Sequence, residues 1–182
     1  MAATEPYTLT EPLDYLGCVS DDVAAYEPSL VRFSRPQRHV WAICWYRGEV
    51  NNGGHEQFYS NSSGIVWRDA LEGLDAADLP EFADILKASI ARFPTEPSFN
   101  RQARNDDLTD RELEFDDLDE AFYAAEARTD LDMRLADYAR KHPEAFLFEG
   151  QAAVTGSSET PVTALAPVGW FKRILAAFKP RV

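Results

Sequence analysis

Cysteine and histidine are scarce in this chain of 182 residues, with two cysteines and three histidines. Cys18 and Cys44 do not form a C-x-x-C pair, so neither a disulfide framework nor a zinc site is predicted, and two free thiols in a reducing compartment are expected. His39, His55 and His142 lie far apart, without the H-E-x-x-H spacing of a metal site. Gly-rich phosphate loops and nucleophile elbows are also lacking. We therefore expect no enzyme, no metal and no cofactor.

Long apolar runs are missing as well. The first residues, MAATEPYTLTEP, contain neither a basic start nor an apolar stretch, so we expect no signal peptide. Spanning a bilayer takes about 20 apolar residues, and no stretch approaches this length. The sequence therefore predicts a cytoplasmic protein without stable membrane insertion.

Positive charge is in short supply, with 18 lysines and arginines against 31 acids and a net charge of −13. Such a charge repels nucleic acid, which argues against direct nucleic acid binding, and attracts basic partners. The alternative is that acidity only keeps the protein in solution. Hydrophobic residues make up 45% and aromatics 12%, so an ordinary core is expected.

The apolar periodicity predicts an all-α fold, a compact single-domain bundle of about six or seven unequal helices. We expect a flexible tail over 1–10 and an acidic helical domain over 11–150. A linker over 151–167 and a basic amphipathic C-terminal helix over 168–182 follow. That last helix could complete the core, or dock on the chain's own acidic surface, on a membrane or on a partner.

The first half of the domain yields three helix predictions. Apolar residues recur at helical spacing from Glu11 to Tyr26, and Ser34 followed by Pro36 signals the start of a buried helix rich in tryptophan. The Asn-Asn-Gly-Gly run at 51–54 is expected to end that helix, and a short turn is expected over 55–61. A short helix is predicted over 65–74.

In the second half, Asp78 and Glu81 flank Pro80 like an acidic capping box, ahead of a helix stopped by Pro94. Residues 94–110 are predicted to form a polar loop. A single long helix is predicted from about Asp116 to just before Pro143.

Acidic residues are concentrated in one central segment. Between Asn105 and Asp137, thirteen acids face only three arginines, for a net charge of −10. Acids one helical turn apart lie about 5.4 Å apart, so two acidic segments could imitate the two rows of phosphates of duplex DNA. The alternative is a solvated face without a partner. The candidate partner-binding residues are Asp106, Asp107, Asp110, Glu112, Glu114, Asp116, Asp117, Asp119 and Glu120, with Asp75, Asp78 and Glu81 from a smaller cluster.

The most distinctive stretch is GEVNNGGHEQFYSNSSG. Together with Leu118-Asp119-Glu120, Phe122-Tyr123 and the His-Pro-Glu-x-Phe ending at 142–146, it resembles the bacterial DNA-mimic protein family from about Leu30 to Phe148. The resemblance implies an all-helical fold and, in the namesake, an acidic surface that occupies the DNA site of a transcription repressor. His55 departs from the aromatic residue that we expect in many relatives. The matching motif residues are Glu49, Asn52, Gly53, Gly54, Gln57, Phe58 and Asn61.

From its residues, this motif is predicted to be mainly structural. Gly53 and Gly54 would let the chain reverse, and Phe58 would anchor the turn in the core. Asn51, Asn52, Gln57 and Asn61 would hydrogen-bond exposed helix ends. The alternative is a polar pocket for a peptide or small ligand, formed by Glu49, Asn52, His55, Glu56 and Gln57.

Charge and resemblance together predict a non-catalytic acidic regulator that binds a basic DNA-binding protein by mimicking DNA. An immunity-type inhibitor of a basic toxin such as a nuclease would use the same surface, and a small ligand- or peptide-binding module is a third possibility. A homodimer is also conceivable.

Overall fold

The computed structural model describes Val19 and residues 23–146. Within these residues the chain forms seven α-helices and two short 3₁₀ helices without any β-strand, which confirms the all-α fold class. No helix of this part is long and apolar enough to cross a membrane. The α-helices are α1 Val23–Leu30, α2 Arg35–Ser60, α3 Trp67–Ala76, α4 Pro80–Ile90, α5 Arg101–Asp110, α6 Asp116–Arg128 and α7 Leu131–Lys141; the 3₁₀ helices are Ser62–Val66 and Pro143–Phe146.

Several sequence predictions fall on other parts of the chain. The tail over 1–10, the linker over 151–167 and the basic helix over 168–182 lie outside the described residues, as does Cys18. Of the helix predicted over residues 11–26, Val19 and residues 23–26 can be compared: Val19 is not helical, and α1 extends from Val23 past Tyr26 to Leu30.

Helix α2 lies at the centre of the fold and packs against α3, α5, α6 and α7. It begins as the sequence predicts: Ser34 accepts a hydrogen bond from the Gln37 backbone, the Gln37 side chain accepts one from the Ser34 backbone, and Pro36 follows in the first turn. Val40 to Cys44 are consecutive buried residues, so this half of the helix is covered on all sides.

The expected end of α2 at 51–54 and the expected turn over 55–61 are both wrong. The helix is kinked at Gly53 and Gly54 and then continues to Ser60. Gly54 has φ +79° and ψ −177°, a conformation that only glycine adopts readily. The two glycines therefore redirect the helix and do not end it.

The polar loop predicted over 94–110 is also wrong, since residues 101–110 form α5. Asn100 caps this helix by accepting a hydrogen bond from the Ala103 backbone at 3.0 Å. Only Arg104 and Leu108 of α5 are buried, so the helix lacks the apolar stripe that would have revealed it.

The single long helix from Asp116 is two helices, α6 and α7. Asp130 separates them, because its carboxylate accepts a hydrogen bond from the Met133 backbone at 2.9 Å and caps α7. The capping box at Asp78 and Glu81 is absent: α4 is preceded by Leu79, without a side-chain cap, and Asp78 has φ +57°.

The core between α2, α4 and α6 is aromatic. The ring of Tyr46 meets those of Phe58 and Phe122 edge-on, with centroids 5.1 and 5.4 Å away, and Phe82 of α4 packs 5.4 Å from Phe122. Edge-to-face pairs of this kind are favourable beyond the area that they bury. They fix α2 and α4 against α6, which carries much of the predicted acidic surface.

Candidate functional site

The kink of α2 is held by one carboxylate of α6. Oδ1 of Asp119 accepts hydrogen bonds from the backbone N–H of His55 at 2.9 Å and from its Nδ1 at 2.5 Å. A Cβ atom added to Gly54 would lie 2.1 Å from Asp119 Oδ2, so glycine alone allows this approach. Asp119 was predicted to contact a partner, but its side chain is only 19% exposed and is directed at the kink.

The buried imidazole of His55 links Asp119 to the core. Its Nε2 lies 2.8 Å from the Tyr46 hydroxyl, and its ring stacks on Phe115 with centroids 6.0 Å apart. Burial raises the pKa of the Tyr46 hydroxyl, which therefore stays protonated and donates to Nε2, while Nδ1–H donates to Asp119. Because Tyr46 and His55 are fully enclosed, this chain of hydrogen bonds holds the kink and offers no surface to a substrate.

A second carboxylate, Glu49, is the acceptor for three other polar side chains of the motif. It accepts hydrogen bonds from Gln57 Nε2 at 2.7 Å, Asn61 Nδ2 at 3.0 Å and Ser63 Oγ at 2.6 Å. These amides were expected to bond the exposed helix ends, and the structure directs them to Glu49 instead. Asn51 likewise donates to Glu126, at 2.8 Å.

The five residues proposed from the sequence to form a ligand pocket in this motif do not line a common pocket. The side chain of His55 faces Tyr46 and Asp119 inside the core, whereas Asn52 and Glu56 are exposed. Gln57 is bonded to Glu49. In the described part of the chain, no group of three or more histidine, cysteine or acidic side chains could hold a metal ion.

Arg104 of α5 is a structural residue that sequence reasoning missed. Its side chain is fully buried, and its guanidinium donates to the backbone carbonyls of Tyr59, Asn61, Ser98 and Phe99 at 2.8–3.2 Å. A Cβ atom on Gly64 would lie 2.8 Å from its Nε. Arginine is almost never fully buried unless its donors are paired, and nothing in the sequence distinguishes Arg104 from an arginine at the surface.

The smaller acidic cluster is largely neutralised by bases from other elements. Each of the three acids predicted there has a cationic partner, although the sequence shows no base among them. The pairs are Asp75 with Lys87 at 3.0 Å, Asp78 with Arg134 at 3.6 Å, and Glu81 with Arg128. Folding thus removes this cluster as a concentrated source of negative charge.

Some acids of the central acidic segment also pair with other residues of the protein. Asp117 pairs with Arg92 at 2.5 Å, and the hydrogen bonds from this arginine lower the pKa of Asp117. Asp107 lies 4.0 Å from Arg111, and Asp106 accepts a hydrogen bond from Gln102 at 2.8 Å.

Five acids remain that make no ion pair or side-chain hydrogen bond to another described residue. We call Asp110, Glu112, Glu114, Asp116 and Glu120 the acidic elbow, because they follow the chain from the end of α5 across the connection into the first turns of α6. All five are exposed. The positive end of the α6 dipole stabilises the negative charge of Asp116. Asp116 and Glu120, which lie one helical turn apart, repel each other. The acidic elbow is therefore a group of neighbouring acids without a cationic partner among the described residues.

The comparisons with known proteins point to one family. A family model described as DMP19-like protein matches residues 31–142, a stretch that includes α2 to α7. This match supports the resemblance seen in the sequence over nearly the same residues. No curated protein and no solved structure matches the chain significantly. The matched stretch exceeds half of the sequence, and the chain belongs to the DMP19-like protein family.

Proposed function

We propose that the protein is a non-catalytic regulator that binds a basic DNA-binding protein through the acidic elbow, by presenting negative charge in place of DNA. One observation carries this proposal: the side chains of five neighbouring exposed acids make no ion pair or hydrogen bond to another described residue, while those of Asp75, Asp78, Glu81, Asp117 and Asp119 do. Leaving like charges uncompensated costs stability, so a surface of this kind suggests a cationic partner.

Family membership supports the same proposal, because the resemblance to DNA-mimic proteins implies an acidic face that occupies a DNA site. The proposal places the protein in the cytoplasm, where a DNA-binding partner would be found. Direct binding to nucleic acid is not part of it, since phosphates and the elbow carry the same sign.

The proposal is tested with two variants that remove the same number of charges. The elbow variant carries Asp110→Asn, Glu112→Gln and Glu120→Gln, and the control variant carries Asp75→Asn, Asp78→Asn and Glu81→Gln. The partner is captured from the native lysate, identified, and released by rising salt or by competing duplex DNA. Three exposed contacts at about 0.5 kcal/mol each are worth about tenfold in affinity.

We expect the elbow variant to bind the captured partner about tenfold more weakly, and the control variant within about threefold of the native chain. Equal weakening by both variants would assign binding to net charge instead of the elbow. Unchanged binding of the elbow variant, or complexes that DNA does not displace, would contradict mimicry. A captured nuclease or other toxin would instead support an immunity-type inhibitor that uses the same surface.

A further inference from the structure

His39 is a buried histidine that the acidic elbow does not involve. It lies in the first half of α2, between α3 and α7, with 6% of its surface exposed. Its Nδ1 lies 2.9 Å from the Tyr138 hydroxyl of α7. A Cβ atom on Gly73 of α3 would lie 2.8 Å from His39 Cβ, so α3 packs directly on the histidine. The ring is therefore held in place from two sides.

The other ring nitrogen of His39 has no hydrogen-bond partner within the part of the chain that the structure describes. Nε2 is buried and lies 3.8 Å from Oε2 of Glu72, beyond the 2.7–3.2 Å range of N–H···O hydrogen bonds. In the neutral ring, Tyr138 can donate to Nδ1 while Nε2–H faces the carboxylate across this gap. Protonation would turn Nε2–H into a charged donor aimed at Glu72.

Glu72 is free to respond because its present ion pair is exposed. It accepts a hydrogen bond from Arg35 at 2.6 Å, and the two side chains are 37% and 72% exposed. Ion pairs between exposed side chains contribute little to stability. A charge-assisted hydrogen bond to a buried imidazolium is stronger.

The groups around His39 set the range of pH in which it can titrate. Burial is the largest influence and lowers the pKa of His39 below its usual 6.5, and Arg35 on the same helix also lowers it. Asp69 and Glu72 of α3 raise it. On α7 the ring faces the Tyr138 hydroxyl, and beyond Tyr138 the ring of His142 packs 4.9 Å from it.

We propose that His39 is a proton-operated switch, in which protonation at Nδ1 makes the ring an imidazolium whose charged Nε2–H draws Glu72 away from Arg35 and frees the guanidinium of Arg35 at the surface. Arg35 and Glu72 line a cavity of about 340 Å³ together with Arg38, Arg68 and Asp69. Acidification therefore adds one positive charge beside this cavity and changes which carboxylate Arg35 can bind. The switch is independent of the proposed function of the acidic elbow.

The switch is tested by NMR on the full chain between pH 8 and pH 5. The ring nitrogens of His39 report its protonation, and the Nε–H signal of Arg35 reports its ion pair. We expect the Arg35 signal to change with the same midpoint as the His39 signal. In Glu72→Gln, His39 should titrate at lower pH, because an attractive charge is lost, and the Arg35 signal should no longer follow pH.

Glu27→Gln is the matched control, because Glu27 lines the same cavity but pairs with Arg38, at 3.4 Å. It should leave the linked titration of His39 and Arg35 intact. His39→Asn, which can still accept the Tyr138 hydrogen bond, should abolish the pH response of Arg35. The proposal is overturned if Arg35 does not change with pH in the native chain, or if its response survives in Glu72→Gln.

Discussion

Asp119 and Glu120 are neighbours in α6 that the sequence assigned to one acidic surface, and replacing each with alanine separates their roles. The structure assigns Asp119 to the kink of α2, and it leaves Glu120 exposed without an ion pair or side-chain hydrogen bond to another described residue. Asp119→Ala should therefore destabilise the fold, whereas Glu120→Ala should not. Both changes remove one negative charge from the same turn of the same helix.

The size of the effect follows from the two hydrogen bonds that Asp119 accepts. Its loss leaves the backbone N–H and the Nδ1–H of His55 without an acceptor, and an unsatisfied buried donor costs about 1–3 kcal/mol. The Asp119 side chain is 19% exposed, so water can partly replace it. We expect a loss of about 2–3 kcal/mol in the free energy of unfolding, or about 5–10 °C in Tm for a domain of this size.

The assay is urea unfolding followed by circular dichroism and by tryptophan fluorescence, with the two probes required to coincide. Glu120→Ala should lie within about 0.5 kcal/mol of the native chain. If Asp119→Ala were no less stable than Glu120→Ala, the kink would not depend on this carboxylate, and Asp119 would again be a candidate partner-binding residue.

Four further substitutions test other parts of the fold. Gly54→Ala should lower the free energy of unfolding by about 3 kcal/mol or more, because φ is +79° and the new Cβ would meet Asp119. Gly48→Ala should stabilise α2 by about 0.5–1 kcal/mol, because its Cβ meets nothing within 4 Å. Urea unfolding midpoints measure both changes. Arg104→Met should lower the free energy of unfolding by about 3 kcal/mol or more, since four carbonyls lose their donor, and a native-like Tm would contradict this. Burial lowers the pKa of His39 in the folded state, so as pH falls through 6.5 the unfolded chain binds the proton first and the free energy of unfolding declines. Urea unfolding midpoints at pH 8, 6 and 5 should show this decline. His39→Asn should reduce it.

The sequence predicted those helices that bury an apolar stripe. The start of α2 at Ser34, the helix behind Pro80 and the one over residues 67–76 all carry such a stripe or a clear capping signal. Helix α5 was missed because the buried guanidinium of Arg104 holds it in place, and the spacing of apolar residues does not reveal a helix held by a polar side chain. The break at Asp130 was missed because apolar residues continue at helical spacing on both sides of it.

The candidate site was predicted as a region but not residue by residue. Counting charges located the acidic segment, because charge needs no structure to be counted. Which acids are neutralised depends on bases brought from elsewhere, such as Arg128 against Glu81 and Arg134 against Asp78. The inward direction of Asp119 could not be read from a run in which nearly every neighbour is also acidic. Whether the acidic elbow binds a partner remains a prediction.

The burial of Arg104 has a consequence for how the native state opens. Its guanidinium joins α5 to the carbonyls of Tyr59 and Asn61, which lie 45 and 43 residues earlier in the chain. Helix α5 buries little apolar surface and would otherwise be free to open locally. Because opening α5 would also release the last turn of α2, the amide protons of both segments should exchange with solvent in one cooperative step.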